Sequence, residues 1–408
     1  MSDARSATPA VPLRRNRDYN LWWSGAAASQ TGSFMVTVAV PMLILTNSGS
    51  AGQAGLVTGA SAVAKFVVAF PAGAVADRCS RRRLLLLSSL MQLAAVASIL
   101  IAVASQHVRL VHLAAAALVE GAGYALHSAT ELPLLRKVVP EPQRRAALGR
   151  EQGRKAAAQL TGPPLGGTLF SWVPWAPFLA ASVSFLGVTT AALGIRAPLG
   201  PQRRRKEAAP PFFPEMLEGV RYIRRSAFMS YMLLWFALVN GAFAGLSFLL
   251  VVLCHDRGAS ASAVGTAQGV GSAGAVLGAL ASAWLTARLT HRQLLKLASW
   301  VLVIGSAAMA VPTLSPLPTG LAYGVSLFLT PAVNVSFTHH MVGTVPDALT
   351  GRVSMTMMTA ARSLNWLFVI AVGLAAERWD PLVPLFTLSS LFLALACANH
   401  LRRVRTQR

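Results

Sequence analysis

The chain has 408 residues, 54% of them hydrophobic and only 12% charged, with 36 Lys and Arg against 14 Asp and Glu for a formal net charge of +22. A soluble globule needs about a quarter of its residues charged to clothe its surface, so that class is excluded and lipid is the implied solvent. The basic excess raises nucleic acid as a partner, and where the basic residues fall decides against it.

Charge-poor stretches long enough to cross a bilayer, each needing about 20 residues, fall at 20–46, 53–76, 84–104, 109–135, 145–171, 175–195, 227–254, 260–286, 293–313, 317–342, 352–376 and 381–401. The pattern predicts an all-α integral membrane protein with 12 transmembrane helices in two pseudo-symmetric six-helix bundles. Alternate loops, counted with the adjoining span ends, hold 31 of the 36 Lys and Arg; the intervening loops hold only Arg109, Arg257 and Arg378, and Lys65 and Arg362 lie inside spans. By the positive-inside rule both termini and the central loop are cytoplasmic, which puts the chain in the inner (plasma) membrane as a multi-pass protein. The basic charge then serves topology and attraction to anionic lipid, and no nucleic acid is expected.

Taken in chain order, the first span follows Arg14 and Arg15, which invites a cleavable leader; its length and the spans behind it predict an uncleaved helix instead. The second span carries Gly55 and Gly59 and ends in the loop Gly73, Ala74, Val75, Ala76, Asp77, Arg78, Cys79, Ser80, Arg81, Arg82, Arg83. At a constant offset of 210, Gly55, Gly59, Arg78, Arg82, Leu84 and Leu85 meet Gly265, Gly269, Arg288, Arg292, Leu294 and Leu295, so the chain is duplicated. The second copy has Ala287 where the first has Asp77, so an anionic latch is expected only in the first half, against the start of the eleventh span. Small residues in both copies, Gly269, Gly271, Gly274 and Gly278 among them, let helix backbones approach closely in lipid.

On the fourth span Glu120, Tyr124, His127 and Glu131 follow i, i+4, i+7, i+11 spacing and so share a helical face leading to the cytoplasmic end. With Lys65 opposite, this is the candidate proton or substrate path. A static ion pair fixing the packing, or a snorkelling Lys65, are the competing readings. Residues 196–226 form the longest hydrophilic interval, with Pro198, Pro201, the run 203–206 and Pro210, Pro211 and Pro214. They divide the chain into an N-terminal bundle, 1–195, a linker, 196–226, and a C-terminal bundle, 227–408. Within the linker Phe213, Met216, Leu217, Val220 and Ile223 predict an amphipathic helix on the inner membrane surface.

His339 and His340 are adjacent, so they point to different faces and make a poor metal pair; no metal or cofactor site is expected. Cys79, Cys254 and Cys397 form no disulfide framework. Arg362 with Asn365 on the eleventh span can hold the loop of residues 73–83 or an anionic substrate. Trp22, Trp23, Trp172, Trp175, Trp300 and Trp379 lie near span ends as interface anchors, and Phe34, Met35, Trp235, Phe236, Phe243, Trp366 and Phe368 could line an apolar cavity or simply pack.

The loop at 73–83 resembles the signature G-x-x-x-D-R-x-G-R-R of the major facilitator superfamily, with Gly73, Asp77, Arg78, Arg81 and Arg82 in its places and Ser80 where the family has Gly. That substitution demands a turn without the residue that most easily takes positive φ. The resemblance implies the major facilitator fold and a loop that, with Arg362, locks the cytoplasmic side in the outward-facing state, a carboxylate capping a helix N-terminus from the other half. A charge cluster serving topology alone is the plainer reading.

Ala158, Gln159, Leu160, Thr161, Gly162, Pro163, Pro164, Leu165, Gly166, Gly167 resembles the antiporter signature G-x-x-x-G-P-x-x-G-G, with Ala158 in its first place. The likeness implies proton-coupled export through Gly162, Pro163, Gly166 and Gly167, while a kinked helix between the halves explains the same residues structurally. Arg144 and Arg154 match Arg352 and Arg362 at an offset of 208, and with the opening Leu13, Arg14, Arg15, Asn16, Arg17, Asp18, Tyr19 they resemble the branch of macrolide and siderophore exporters. That branch often has an acid after the Gly of Ser29, Gln30, Thr31, Gly32, where this chain has Ser33.

The expected function is a secondary transporter, working as a monomer, that exports a hydrophobic or amphipathic small molecule by proton antiport through alternating access. A metabolite importer or facilitator, or a non-transporting membrane sensor, is the alternative. No nucleophile-base constellation and no phosphate-binding loop point to an enzyme or to direct ATP drive.

Overall fold

The computed structural model describes residues 12–196, 212–311 and 315–401. Arg5, the run 203–206 with the prolines at 198, 201, 210 and 211, and residues 402–408 lie outside these, as do the side chains of Asp77, Arg78, Phe213, Met216 and Leu217. The described chain is helical: α1 Arg17–Ser48, α2 Ala51–Arg78, α3 Arg81–Ala104, α4 Leu110–Val138, α5 Arg144–Trp172, α6 Ala176–Gly194, α7 Phe212–Arg225, α8 Ala227–Asp256, α9 Ala261–Arg288, α10 His291–Ala308, α11 Leu317–Phe328, α12 Thr330–Thr344, α13 Asp347–Arg362, α14 Asn365–Arg378 and α15 Leu382–Leu401.

Several helix starts carry a side-chain cap. Ser50 and Ser260, 210 positions apart, cap α2 and α9 by accepting the backbone N–H three residues on, from Gln53 and Ala263. The demand for a turn without glycine at Ser80 is met in the same way: its φ is −66°, and its hydroxyl accepts the N–H of Arg83 as the N-cap of α3. No left-handed residue is needed there. Gly49, with φ +68°, ends α1 in the left-handed cap conformation.

Among the described residues ten segments are long and apolar enough to cross a membrane. They exclude α5, which is charged at its start and rich in Gly and Pro beyond it, and α10, which opens on His291, Arg292, Gln293 and Lys296; both fall short in apolar character. With these two in sequence position the crossings number twelve. Two expected continuous spans are broken: the tenth is α11 followed by α12, and the eleventh is α13 followed by α14. Pro331, in the first turn of α12, lacks the N–H that would continue α11.

Helices α1–α6 pack into one bundle and α8–α15 into a second, joined chiefly by α5 on α9 and α2 on α14. These seams are built by glycines at the end remote from the termini. A Cβ on Gly55 would lie 2.8 Å from the Gly373 Cα, and one on Gly265 would meet the Pro163 carbonyl, so side chains there would force the bundles apart. Three hydrogen bonds tie the same end. Ser50 Oγ donates to Glu377 at 2.9 Å, the Ser262 N–H donates to Ser171 Oγ at 2.8 Å, and the Thr168 and Ser262 hydroxyls meet at 3.3 Å.

The linker helix α7 is held on the C-terminal bundle. Glu218 pairs with Arg352 of α13, Tyr222 Oη donates to the Thr344 carbonyl at 3.2 Å, and Ile223 is buried.

Candidate substrate and proton pathway

The fourth-span stripe becomes a physical line in three dimensions. Near its upper end Lys65 Nζ stands 3.4 Å from Glu120 Oε2, and Ser61 Oγ donates to the same oxygen at 3.0 Å. Lys65 also lies 4.9 Å from the centre of the Tyr124 ring. A lone charge inside a bilayer costs about 2.5–3.5 kcal/mol on insertion scales, and pairing reduces that cost. The pairing of Lys65 with Glu120 is therefore what keeps both embedded.

One turn further, Tyr124, His127 and Glu131 face a cavity of about 150 Å³ enclosed by α1, α3, α4, α5 and α13. Glu131 belongs to a four-member charge cluster. Arg154 Nη2 lies 3.0 Å from Glu131 Oε1, Arg154 Nε donates to Glu151 at 3.2 Å, and Lys155 Nζ reaches Glu131 at 2.7 Å and Glu151 at 3.4 Å. Two carboxylates and two cations leave the cluster neutral, and the Arg154 side chain is only 1% exposed. Glu151 and Lys155 were not among the residues expected from sequence. The spacing of Arg154 and Lys155 three and four residues after Glu151 was the readable signal for an intrahelical network.

Gly73, Asp77 and Arg78 form the end of α2; Arg81 is buried at the start of α3; and Arg82 donates to the Leu193 carbonyl at the end of α6, in its own bundle. Arg362 ends α13 and lines the cavity with His127, Glu131 and Lys155; among the described residues it makes no ion pair or hydrogen bond.

The antiporter-like segment divides its glycines between two neighbours. Cβ atoms on Gly162 and Gly166 would collide with Phe34 and Met35 of α1, and one on Gly167 would collide with Ala261 of α9. Each of these glycines is thus a point of close backbone approach. Pro163 and Pro164 sit inside α5, which continues through them.

The apolar cavity does not form from the expected aromatics. Trp235 and Phe236 pack edge-to-face, Phe243 meets Phe392, and Phe368 covers Gly241, so these rings fill the C-terminal core. Trp22 is likewise buried beside Tyr19, whereas Trp172 and Trp379 are exposed at the far end. Among the described residues no cluster of His, Cys, Asp and Glu is arranged to hold a metal.

Twelve crossings in two glycine-seamed bundles around a polar cavity define a membrane transporter rather than an enzyme, and the chain belongs to the Major Facilitator Superfamily, whose model matches residues 22–369. It is similar to the multidrug efflux pump Tap of Mycolicibacterium fortuitum, 24% identical over 384 residues that span 91% of this chain and 90% of the pump. Similarity to Tap of Mycobacterium tuberculosis is 26% over 388 residues, 90% of this chain and 87% of that protein. The fold is similar to that of a bacterial homologue of the iron transporter ferroportin in an inward-facing state, with a TM-score of 0.73, 14% identity and coverage of 95% and 98%.

Proposed function

We propose that the chain is a secondary exporter of a drug-like small molecule in the plasma membrane, driven by proton antiport through alternating access. The observation that carries the reading is the line of titratable side chains from Lys65 and Glu120 through Tyr124 and His127 to Glu131, which leads along α4 into the cavity. Protonation of Glu120 would leave Lys65 unpaired, and a rearrangement of α2 against α4 would follow from the need to re-pair it. Two relatives named multidrug efflux pumps support export, as does the segment with Gly162, Pro163, Gly166 and Gly167.

With both termini cytoplasmic, the sealed far end faces outward, and the conformation corresponds to the inward-facing state, the state named for the ferroportin homologue. The loop of Gly73, Asp77, Arg78, Arg81 and Arg82 then acts when the cytoplasmic side closes, taking Arg362 from the cavity as its partner. The bundles 1–195 and 227–408 rock as units, the linker 196–226 travelling with the second, and the protein works as a monomer among anionic lipids.

Purified protein in liposomes with an imposed pH gradient tests the reading. Efflux of a loaded fluorescent drug such as ethidium that rises with the gradient is expected; flux indifferent to it indicates a facilitator, and no flux overturns transport of such compounds.

A further inference from the structure

The cavity between the bundles holds more unanswered hydrogen-bonding capacity than its charge cluster requires. Gln92 of α3 is 1% exposed, and among the described residues neither its amide nitrogen nor its amide oxygen has a partner. His127 of α4 is 8% exposed with Nδ1 unpartnered, and the Gln30 Oε1 of α1 is in the same condition. All three line the one cavity, although they come from three helices. Buried polar atoms without partners are destabilising, and the glutamine amide is worse placed than most, because it needs both an acceptor and a donor. Packing explains why Gln92 is there only in part: its Cγ fills the space over Gly123, which an apolar side chain of the same length would fill equally well.

Charge does not explain these groups either. Glu131 and Glu151 are matched by Arg154 and Lys155, so the glutamines and the histidine are not needed to neutralise anything. The volume of about 150 Å³ is that of a site holding one six-membered ring, the size at which an engineered protein cavity takes up benzene. Here the wall is polar, whereas a benzene site is apolar.

We infer that Gln30, Gln92 and His127 form a subsite for a hydroxyl-bearing ring, such as a glycosyl group carried on an otherwise apolar compound. The inference rests on the proposed export reading and narrows its substrate class. Gln92 offers one acceptor and one donor edge, Gln30 an acceptor, and His127 Nδ1 either role according to its tautomer, which is the mixed set that neighbouring hydroxyls satisfy and a hydrocarbon does not. The aglycone would extend toward the mouth, where Ser128 and Arg362 stand.

Equilibrium dialysis of the purified protein in nanodiscs against 4-methylumbelliferyl β-D-glucoside and against 4-methylumbelliferone tests the subsite. The glucoside should bind about tenfold more tightly than the aglycone, the equivalent of one or two net hydrogen bonds. The preference should fall to within about twofold in Gln92→Met and in Gln30→Met, each of which removes polar atoms while keeping length. Thermal unfolding supplies an independent readout: Gln92→Met should hold or raise the midpoint, since an unpartnered amide is replaced by an apolar group of similar shape.

Equal binding of the two probes, no binding of the glucoside at millimolar concentration, or a preference that survives both variants would overturn the proposal. A fall in the midpoint of Gln92→Met would overturn it as well, by assigning the amide a structural role. Gradient-driven ethidium flux is measured separately, so a glucoside preference without flux would remove the transport reading and leave the subsite, and flux without the preference would do the reverse.

Discussion

The two bundles share a helix plan and differ in chemistry. The N-terminal bundle embeds Lys65, Glu120, Glu131, Glu151, Arg154 and Lys155, all in ion pairs. At the offset of 210 the places of Lys65, Glu120 and Glu131 are taken in the C-terminal bundle by Ala275, Thr330 and Met341, and stacked or edge-packed rings fill its interior instead. Arg154 and Arg362, mates at the offset of 208, show the divergence within one pair. Arg154 is clasped by two carboxylates; Arg362 has no counterpart to them, because Met341 stands for Glu131 and Thr359 for Glu151, and among the described residues it lines the cavity without an ion pair. Duplication thus supplied a symmetric frame, while the embedded ion pairs among the described residues stand in one half.

The largest expected effect breaks this comparison at its centre. Arg154→Met should cost about 3–5 kcal/mol in thermal unfolding, because two buried carboxylates are left to share Lys155, while Arg362→Met should cost less than about 1. Equal losses would mean that the two arginines are not differently employed. Next in size, Gly55→Leu should destabilise the far-end seam by about 1–3 kcal/mol, since the added side chain meets the Gly373 backbone. An unchanged melting curve would show that the seam is not close-packed.

Glu120→Gln sharpens the comparison functionally. Gradient-driven efflux should fall about tenfold or more, while Thr330→Val, at the mate position, should leave it within about twofold. Retained coupling in Glu120→Gln would remove the α4 line as the proton path. The smallest effect is expected from Glu377→Ala, which deletes the hydrogen bond to Ser50 at the start of α2, a contact of about 1 kcal/mol. In a Cys79→Ser, Cys397→Ser background, maleimide labelling of buried Cys254 near that end should quicken about fivefold. An unchanged rate would assign the seam to its glycines alone.

The stripe on α4 was legible because helical periodicity alone puts Glu120, Tyr124, His127 and Glu131 on one face, and Lys65 was the nearest embedded cation to offer a partner. The outer tie was not: Ser50 and Glu377 are 327 positions apart, and neither stands out in its own segment. The aromatic residues stayed ambiguous for a related reason. Periodicity says that Trp235 or Phe236 faces something, but only the neighbouring helix determines whether that something is a cavity or a second ring, here Phe337.

By itself the sequence determined the solvent, the number of crossings and the duplication, because each follows from local composition or from spacing along the chain. Which end of the molecule is sealed, which arginine is clasped and which is free, and that the cavity wall is polar were decided only by the tertiary structure. Each of these depends on distances between helices, set by glycine contacts such as Gly55 with Gly373 and Gly265 with Pro163 that no single segment contains.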